Sequence, residues 1–320
     1  MKIGVVGCGA LGSFYGAKLH RDGQDVHFLL RSDYEVARRR GVRVLSPDGD
    51  FHVQPRPARD PREIGVCDLV VVALKTTAND QFERLIPPLV GPSTAILTLQ
   101  NGLGNEAQLA ALFGAQKIMG GLCFVCLNRI EPGVIEHLAH GKVILGEYQS
   151  WPEPRTHDVA SMFRHAGVPC KVTDNLERAH WEKLAWNIPF NGLGVASVAG
   201  YDALAQGHVP ENSKFGPCLA TDQLLHDASW ARLVRELMIE VITIANALGL
   251  SVAETVVEKQ IEATRKMRAY KASTLIDYER RQPLEMESLF LKPLRAAKNA
   301  GVPTPRLEAL CNVLAKLNPA

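Results

Sequence analysis

Along the first half of the chain, short runs of branched aliphatic residues alternate with amphipathic stretches. Residues 2–6 (Lys-Ile-Gly-Val-Val) read as a buried strand and residues 10–20 as a helix. Polar and apolar side chains alternate over residues 24–30, which read as a second strand. Further strand-like runs fall at residues 68–74, 94–99 and 117–127, with helical stretches between several of them. Short apolar strands separated by helices form a parallel sheet, because each crossover helix must pack back onto a face of it. Residues 134–138 and 142–147, separated by Ala-His-Gly, predict an antiparallel hairpin added to that sheet.

Beyond residue 173 the strand pattern stops and helical spacing takes over. Trp230, Leu233, Val234, Leu237, Val241, Ile244, Ala245 and Leu248 recur at three- and four-residue steps, and Gly249 follows as a stop. Residues 284–301 and those after Pro305 repeat the pattern. A chain of 320 residues exceeds the usual size of one core, so two domains are expected. The predicted fold class is α/β: a Rossmann-type parallel-sheet domain over residues 1–174, then an all-helical domain over residues 175–320. Residues 200–227, rich in Gly, Pro, Asn and Asp, predict a long loop or insertion.

Composition narrows the function by exclusion. Lys and Arg number 36 against 34 Asp and Glu, and a net charge of +2 is too small for a nucleic-acid or anionic-membrane surface. Arg38, Arg39 and Arg40, close to Glu35, read as a solvated helix end. No apolar run approaches the ~18 residues that span a bilayer, and the opening strand leaves no secretory pattern. The seven scattered cysteines argue against a disulfide framework, and Cys123-x-x-Cys126 sits in an apolar run that suits core packing. His137 and His140 lack the neighbours that would complete a metal site, so no metal is expected. The expectation is a soluble cytoplasmic protein acting on a small molecule, with a homodimer left open.

The first strand leads into Gly7, Cys8, Gly9, Ala10, Leu11 and Gly12, a complete G-x-G-x-x-G followed by a helix and a second strand. In that context the first glycine makes a tight turn and the second lets backbone approach a pyrophosphate. The third lets helix and strand pack closely, with the phosphates on the helix N-terminus. After the second strand, an NAD site carries an acid that holds the ribose 2′-hydroxyl. This chain has Leu30-Arg31-Ser32, and the Arg31 guanidinium suits the 2′-phosphate of NADP(H). The competing reading makes Arg31 an ordinary surface residue and Asp33 the ribose ligand.

In the second half, Lys183, Asn187 and Asn191 follow at i, i+4 and i+8 among Trp181, Trp186, Ile188 and Phe190. That spacing puts a lysine and two amides on one helix face, which favours a polar cleft over a solvated stripe. Pro189 removes a backbone donor within the run and predicts a bend.

With these features the chain resembles the ketopantoate reductase (2-dehydropantoate 2-reductase) family over nearly its whole length. The resemblance rests on the glycine loop with Arg31, Leu74-Lys75-Thr76, Gln100-Asn101-Gly102, Pro132-Gly133 and Leu145-Gly146-Glu147. It continues through the Lys183/Asn187/Asn191 helix, Ser273-Thr274-Leu275-Ile276-Asp277 and Arg281-Gln282-Pro283-Leu284-Glu285. It implies an NADPH-dependent oxidoreductase that reduces a 2-keto acid to a 2-hydroxy acid, with 2-dehydropantoate and pantothenate biosynthesis the foremost assignment. By the resemblance Lys183 is the general acid, and Glu285 contacts substrate and supports that lysine. Asn187 and Asn191 hold the substrate's hydroxyl end, Ser273 binds its carboxylate, and Lys75 and Asn101 lie near the nicotinamide and the substrate.

The chemistry agrees with these roles, since hydride delivered to a keto carbon leaves an alkoxide that needs a nearby proton donor. Bland readings stand beside it: Lys75 as a solvated lysine at a strand end, Glu285 as an acid at a helix start. The chain also departs from the family. A further substrate-contacting asparagine has no counterpart, with Tyr201 near its position, and Ser273 lies between Ala272 and Thr274 in place of the common Ser-Ser-Met. Reduction of another 2-keto acid, or of an imine derived from one, is the alternative enzyme. A non-catalytic NADPH sensor is the alternative of another class, although it has no need of Lys183 and Glu285 together.

Overall fold

A strand covered on both faces has to be apolar throughout, because successive side chains point to opposite sides of the sheet. The runs Leu69–Val72 and Ala95–Thr98 are buried at every residue, and Lys2–Val6 and Asp25–Leu29 after their first, with Thr98 and His27 the only polar side chains among those buried positions. In a computed structural model, which describes residues 1–211, 214–267 and 269–318, these four segments are the centre of one large sheet. The chain divides into two compact units, Met1–Leu176 and Glu177–Ala320.

The first unit carries ten strands: β1 (Lys2–Val6), β2 (Asp25–Leu29), β3 (Val42–Leu45), β4 (Phe51–Val53), β5 (Arg56–Ala58), β6 (Leu69–Val72), β7 (Ala95–Thr98), β8 (Ile118–Glu131), β9 (Val134–Glu147) and β10 (Cys170–Val172). Their order is β4-β3-β9-β8-β7-β6-β1-β2-β5, with β10 added beside β9. The stretch from β5 to β8 is parallel throughout and reverses its direction of winding between β1 and β6. In open parallel sheets ligands bind at such a switch point, beyond the carboxyl ends of the strands. Helices α1 (Ala10–Arg21), α2 (Tyr34–Arg40), α3 (Pro61–Ile64), α4 (Phe82–Leu85), α5 (Asn105–Phe113) and α6 (Pro154–His165) complete the unit. Glu147, 2% exposed at the end of β9, receives both the Arg155 guanidinium and the Thr156 hydroxyl and so fixes the start of α6.

Two expectations for this unit need correction. Residues 134–138 and 142–147 are halves of one strand, β9, and its antiparallel partner is the equally long β8. The hairpin turn lies at Pro132-Gly133, between the two strands. Ala139-His140-Gly141 has the composition of a turn but makes a β-bulge. The pairing jumps from Phe124↔Lys142 to Val125↔His140, with positive φ of 68° at His140 and 122° at Gly141. One extra residue on one strand bends it without ending it. The sheet is also wider than the sequence pattern predicts, since β3, β4, β5 and β10 are too short to show a clear period. Cys123 and Cys126 are buried in β8, and Arg38 to Arg40 form the exposed last turn of α2.

The second unit is helical: α7 (Leu176–Ala196), α8 (Tyr201–Gln206), α9 (Thr221–His226), α10 (Ala228–Ala247), α11 (Thr255–Arg265), α12 (Ser273–Glu279), a π-helical turn at Glu287–Leu291, α13 (Lys292–Asn299) and α14 (Pro305–Leu317). Among the described residues no helix is long and apolar enough to cross a membrane. The long loop expected at residues 200–227 is corrected to two short helices, α8 and α9, joined by irregular chain; residues 212–213 lie outside the described residues. Turn-forming residues concentrate in the connection and mask the helical pieces on either side. The apolar stripe of α10 is buried from Trp230 to Ala245, but Leu248, just past the helix end, is 41% exposed. Pro189 lies inside α7 without ending it.

Asp227 caps α10, its carboxylate accepting from the backbone N–H of Ser229 at 2.8 Å and of Trp230 at 3.1 Å. Asp227→Ala is expected to lower unfolding free energy by about 1 kcal/mol, the usual cost of a lost N-cap, measured by urea denaturation. No change would show that packing of the α10 stripe alone sets its start.

Candidate functional site

In the first unit, four segments named by the sequence leave the same edge of the sheet. They are the glycine loop after β1, Leu30 to Asp33 after β2, Leu74-Lys75-Thr76 after β6, and Gln100-Asn101-Gly102 after β7. The glycine loop lies at the switch point and is held by backbone proximity. Gly7 has φ +100°, and a Cβ there would stand 2.4 Å from the backbone nitrogen of Leu74. A Cβ on Gly12 would stand 2.2 Å from the Gly7 carbonyl oxygen. At Gly9, by contrast, a Cβ would meet nothing within 4 Å. The outer residues have to be glycine for the chain to close on itself, while beside the middle one the space is open. Gly9 is also the N-cap of α1, whose first turn holds no acidic residue. This cradle fits a pyrophosphate: a helix N-terminus with open volume beside Gly9 and no acidic side chain in the first turn.

Beyond β2, Arg31 and Ser32 are exposed and Asp33 is buried. The Asp33 carboxylate accepts from Ser32 Oγ at 2.8 Å and from Arg129 Nη2 at 2.6 Å. Arg129 lies near the end of β8, far from Asp33 in sequence, and was not identified as a site residue. Burial, and behind it the charge of Asp33, push the Cys8 thiol well above its ordinary range.

Lys75 is exposed and Asn101 half-buried. Their loops are tied by side-chain amides that sequence reasoning did not single out. Gln100 Nε2 donates to the Leu74 carbonyl at 3.0 Å and to Asn79 Oδ1 at 2.8 Å. Asn79 Nδ2 in turn donates to Asn105 Oδ1 at 3.0 Å, and Asn105 Nδ2 donates to the Asn101 carbonyl at 3.0 Å. Gln100 is 4% and Asn105 0% exposed, so the network is largely screened from water and fixes both loops. The only signal in the sequence is a cluster of amides just after two strands.

In the second unit, α7 carries Lys183, Asn187 and Asn191. Asn187 and Asn191 are 5% and 3% exposed among the buried Trp181, Leu184, Ile188 and Phe190, so they do not form a solvated stripe. Lys183 is half-buried. Asn191 Oδ1 accepts from the backbone N–H of Thr274 at 3.0 Å and from Ser273 Oγ at 3.2 Å, bringing two sequence-identified residues together at the start of α12. A backbone N–H can only donate, so the atom it meets is the amide oxygen and Nδ2 is left as the donating end. Glu285 is 4% exposed and directly precedes the residues leading into the π-helical turn, a distortion frequent at functional sites. Tyr201 opens α8, where its hydroxyl accepts from Arg232 Nη2 at 3.1 Å and its ring packs edge-on to Trp230.

The family described as ketopantoate reductase PanE/ApbA matches residues 3–150, and its C-terminal counterpart matches residues 218–318. The 2-dehydropantoate 2-reductase of Nostoc sp. is 38% identical over 98% of this chain and 94% of its own. A crystal structure of 2-dehydropantoate 2-reductase from Geobacter metallireducens has 47% sequence identity and a TM-score of 0.89, with 99% of both chains covered. D-mandelate dehydrogenase, solved with NADH and anilino(oxo)acetate, shares the fold at a TM-score of 0.84 and 18% identity.

Asn191→Ala leaves the buried N–H of Thr274 without its acceptor. It is expected to lower stability by about 1–3 kcal/mol, the cost of an unsatisfied buried donor, read by urea denaturation. Unchanged stability would mean that this contact does not hold the start of α12.

Proposed function

The chain belongs to the ketopantoate reductase family, and we propose that it reduces 2-dehydropantoate to pantoate with NADPH, in pantothenate biosynthesis. The observation that carries this reading is the pairing of two chemistries in one chain. A glycine cradle with Arg31 beside it suits a phosphorylated dinucleotide, and a buried helix bears Lys183 in line with Asn187 and Asn191. A sensor that only bound NADPH would need the first and not the second.

Bound NADPH would supply the hydride that the keto carbon accepts. Everything else falls to the chain's own side chains. Backbone N–H groups of Gly7 to Gly12 take the pyrophosphate, and the Arg31 guanidinium takes the 2′-phosphate through charge-assisted bonds. Lys75 and Asn101, on loops braced by Gln100, Asn79 and Asn105, lie near the nicotinamide and the substrate. Lys183 protonates the oxygen of the reduced ketone, and its ammonium stabilises the charge that builds there. Glu285 contacts substrate and supports that lysine. Asn187 and Asn191 hold the hydroxyl end through amide N–H groups, in keeping with the fixed orientation of the Asn191 amide. Ser273 binds the carboxylate.

The first unit is thus the NADP-binding domain and the second the substrate and catalytic domain. Cytoplasmic residence belongs to the same proposal and is supported by seven cysteines, none of them in a disulfide.

Two substitutions test separate halves of this reading. Lys183→Ala is expected to lower kcat by at least about 10²-fold, the range for a lost general acid, with NADPH affinity nearly intact. Turnover that survives would sink the mechanism. Arg31→Ala is expected to weaken NADPH binding by about ten- to a hundredfold, the equivalent of one or two charge-assisted bonds, and to leave NADH almost unchanged. Equal loss for both cofactors in a fluorescence titration refutes the assignment of Arg31. A panel of 2-keto acids and derived imines, assayed with each cofactor, separates ketopantoate from the alternatives.

A further inference from the structure

Asp33 stands two residues beyond Arg31, in the segment where an acid ordinarily selects the ribose 2′-hydroxyl and disfavours a 2′-phosphate. A free carboxylate there would contradict Arg31. Asp33 occupies the N-cap position of α2, the commonest structural use of an aspartate, yet its side chain makes no capping bond. It is turned instead to Arg129, and the Nη2–Oδ1 distance is 2.6 Å with the Asp33 side chain only 8% exposed. Arg129 comes from a distant part of the fold, 96 residues away, carried in near the tip of the long β8–β9 hairpin. The second hydrogen bond, from Ser32 Oγ, further occupies Oδ1.

We propose that Arg129 is a specificity-determining positioning residue: by holding the Asp33 carboxylate it cancels the charge that would repel a 2′-phosphate at Arg31 and withdraws the acceptor that would favour a 2′-hydroxyl. The inference rests on the NADPH reading. Arg129 does not itself bind the cofactor in this account; it sets what Asp33 presents. A like charge in the segment that takes the phosphate would weaken binding of the phosphorylated cofactor selectively, whereas NADH carries no group there to feel it. A carboxylate released from Arg129 becomes available to the ribose hydroxyl, so NADH affinity holds or improves. A merely structural strut would behave otherwise, affecting both cofactors alike.

The test is fluorescence titration of NADPH and NADH against the full chain as wild type, Arg129→Lys, Arg129→Met and Asp33→Asn/Arg129→Met. Arg129→Met is expected to raise the NADPH Kd about tenfold or more while NADH shifts by less than about threefold. Arg129→Lys keeps the charge and is expected to keep the preference. The double variant, with neither charge left, is expected to return the NADPH-to-NADH ratio to within about threefold of wild type. Equal weakening of both cofactors in Arg129→Met, or a double variant that stays unable to prefer NADPH, overturns the proposal. Should Arg129→Met fail to fold, Arg129→Gln, which keeps a side-chain donor for Asp33 but not the charge, takes its place in the same titrations with the same expected and overturning outcomes. Wild type preferring NADH would overturn the NADPH reading and this inference together. Wild-type preference for NADPH with no rescue removes the inference alone.

Discussion

The approach of backbone to backbone at the sheet's switch point is the constraint from which the first unit is built. Gly7 comes so near the Ala73–Leu74 peptide, and Gly12 so near the Gly7 carbonyl, that no side chain fits at either place. The loop therefore presents N–H groups where other chains would present side chains, and α1 starts directly from it. Because β2, β6 and β7 run parallel to β1, their carboxyl ends open on the same edge. Arg31, Lys75 and Asn101 are gathered at that edge by the sheet's topology and need no contact with one another.

The second unit meets a different demand. A group that donates a proton, or orients a small polar molecule, must be a side chain held in one rotamer, and a helix buried on most sides holds it best. In α7 the apolar residues Trp181, Leu184, Ile188 and Phe190 exclude water and leave Asn187 and Asn191 no solvent to bond with. The Asn191 amide is therefore fixed by protein groups, and its orientation follows from the Thr274 N–H. Burial and polarity, costly when combined, become a device for setting which end of an amide faces a ligand.

What could be read from the sequence divides along the same physical line. The α/β class, the main strands and the stripe of α10 are periodic over enough residues to stand out. Residues 139–141 misled because a bulge and a turn draw on the same small, permissive residues, and only pairing across the sheet tells them apart. Residues 200–227 misled because the composition of a connection outweighed two helices of six residues each. Among site residues, Gly7 to Gly12 carry a local pattern and Lys183 a helical one. Arg129 carries neither. Its partner lies 96 residues away, and no period or motif links a strand end to a distant loop.

The membership of the family leaves a narrower matter, which is how the substrate end is shaped in this chain. Tyr201 opens α8, and its hydroxyl is engaged by Arg232 while its ring packs against Trp230. A side chain used in this way braces α8 against α10 and is a poor candidate to replace an amide. The proposed substrate contacts are Asn187, Asn191 and Ser273, and Asn191 and Ser273 are hydrogen-bonded to each other. A site with fewer amides discriminates less through hydrogen bonds and more through the shape its neighbours give it. On the proposed assignment of these residues, selectivity among 2-keto acids with a nearby hydroxyl rests on the Asn191–Ser273 pair, where one displaced bond moves both groups at once.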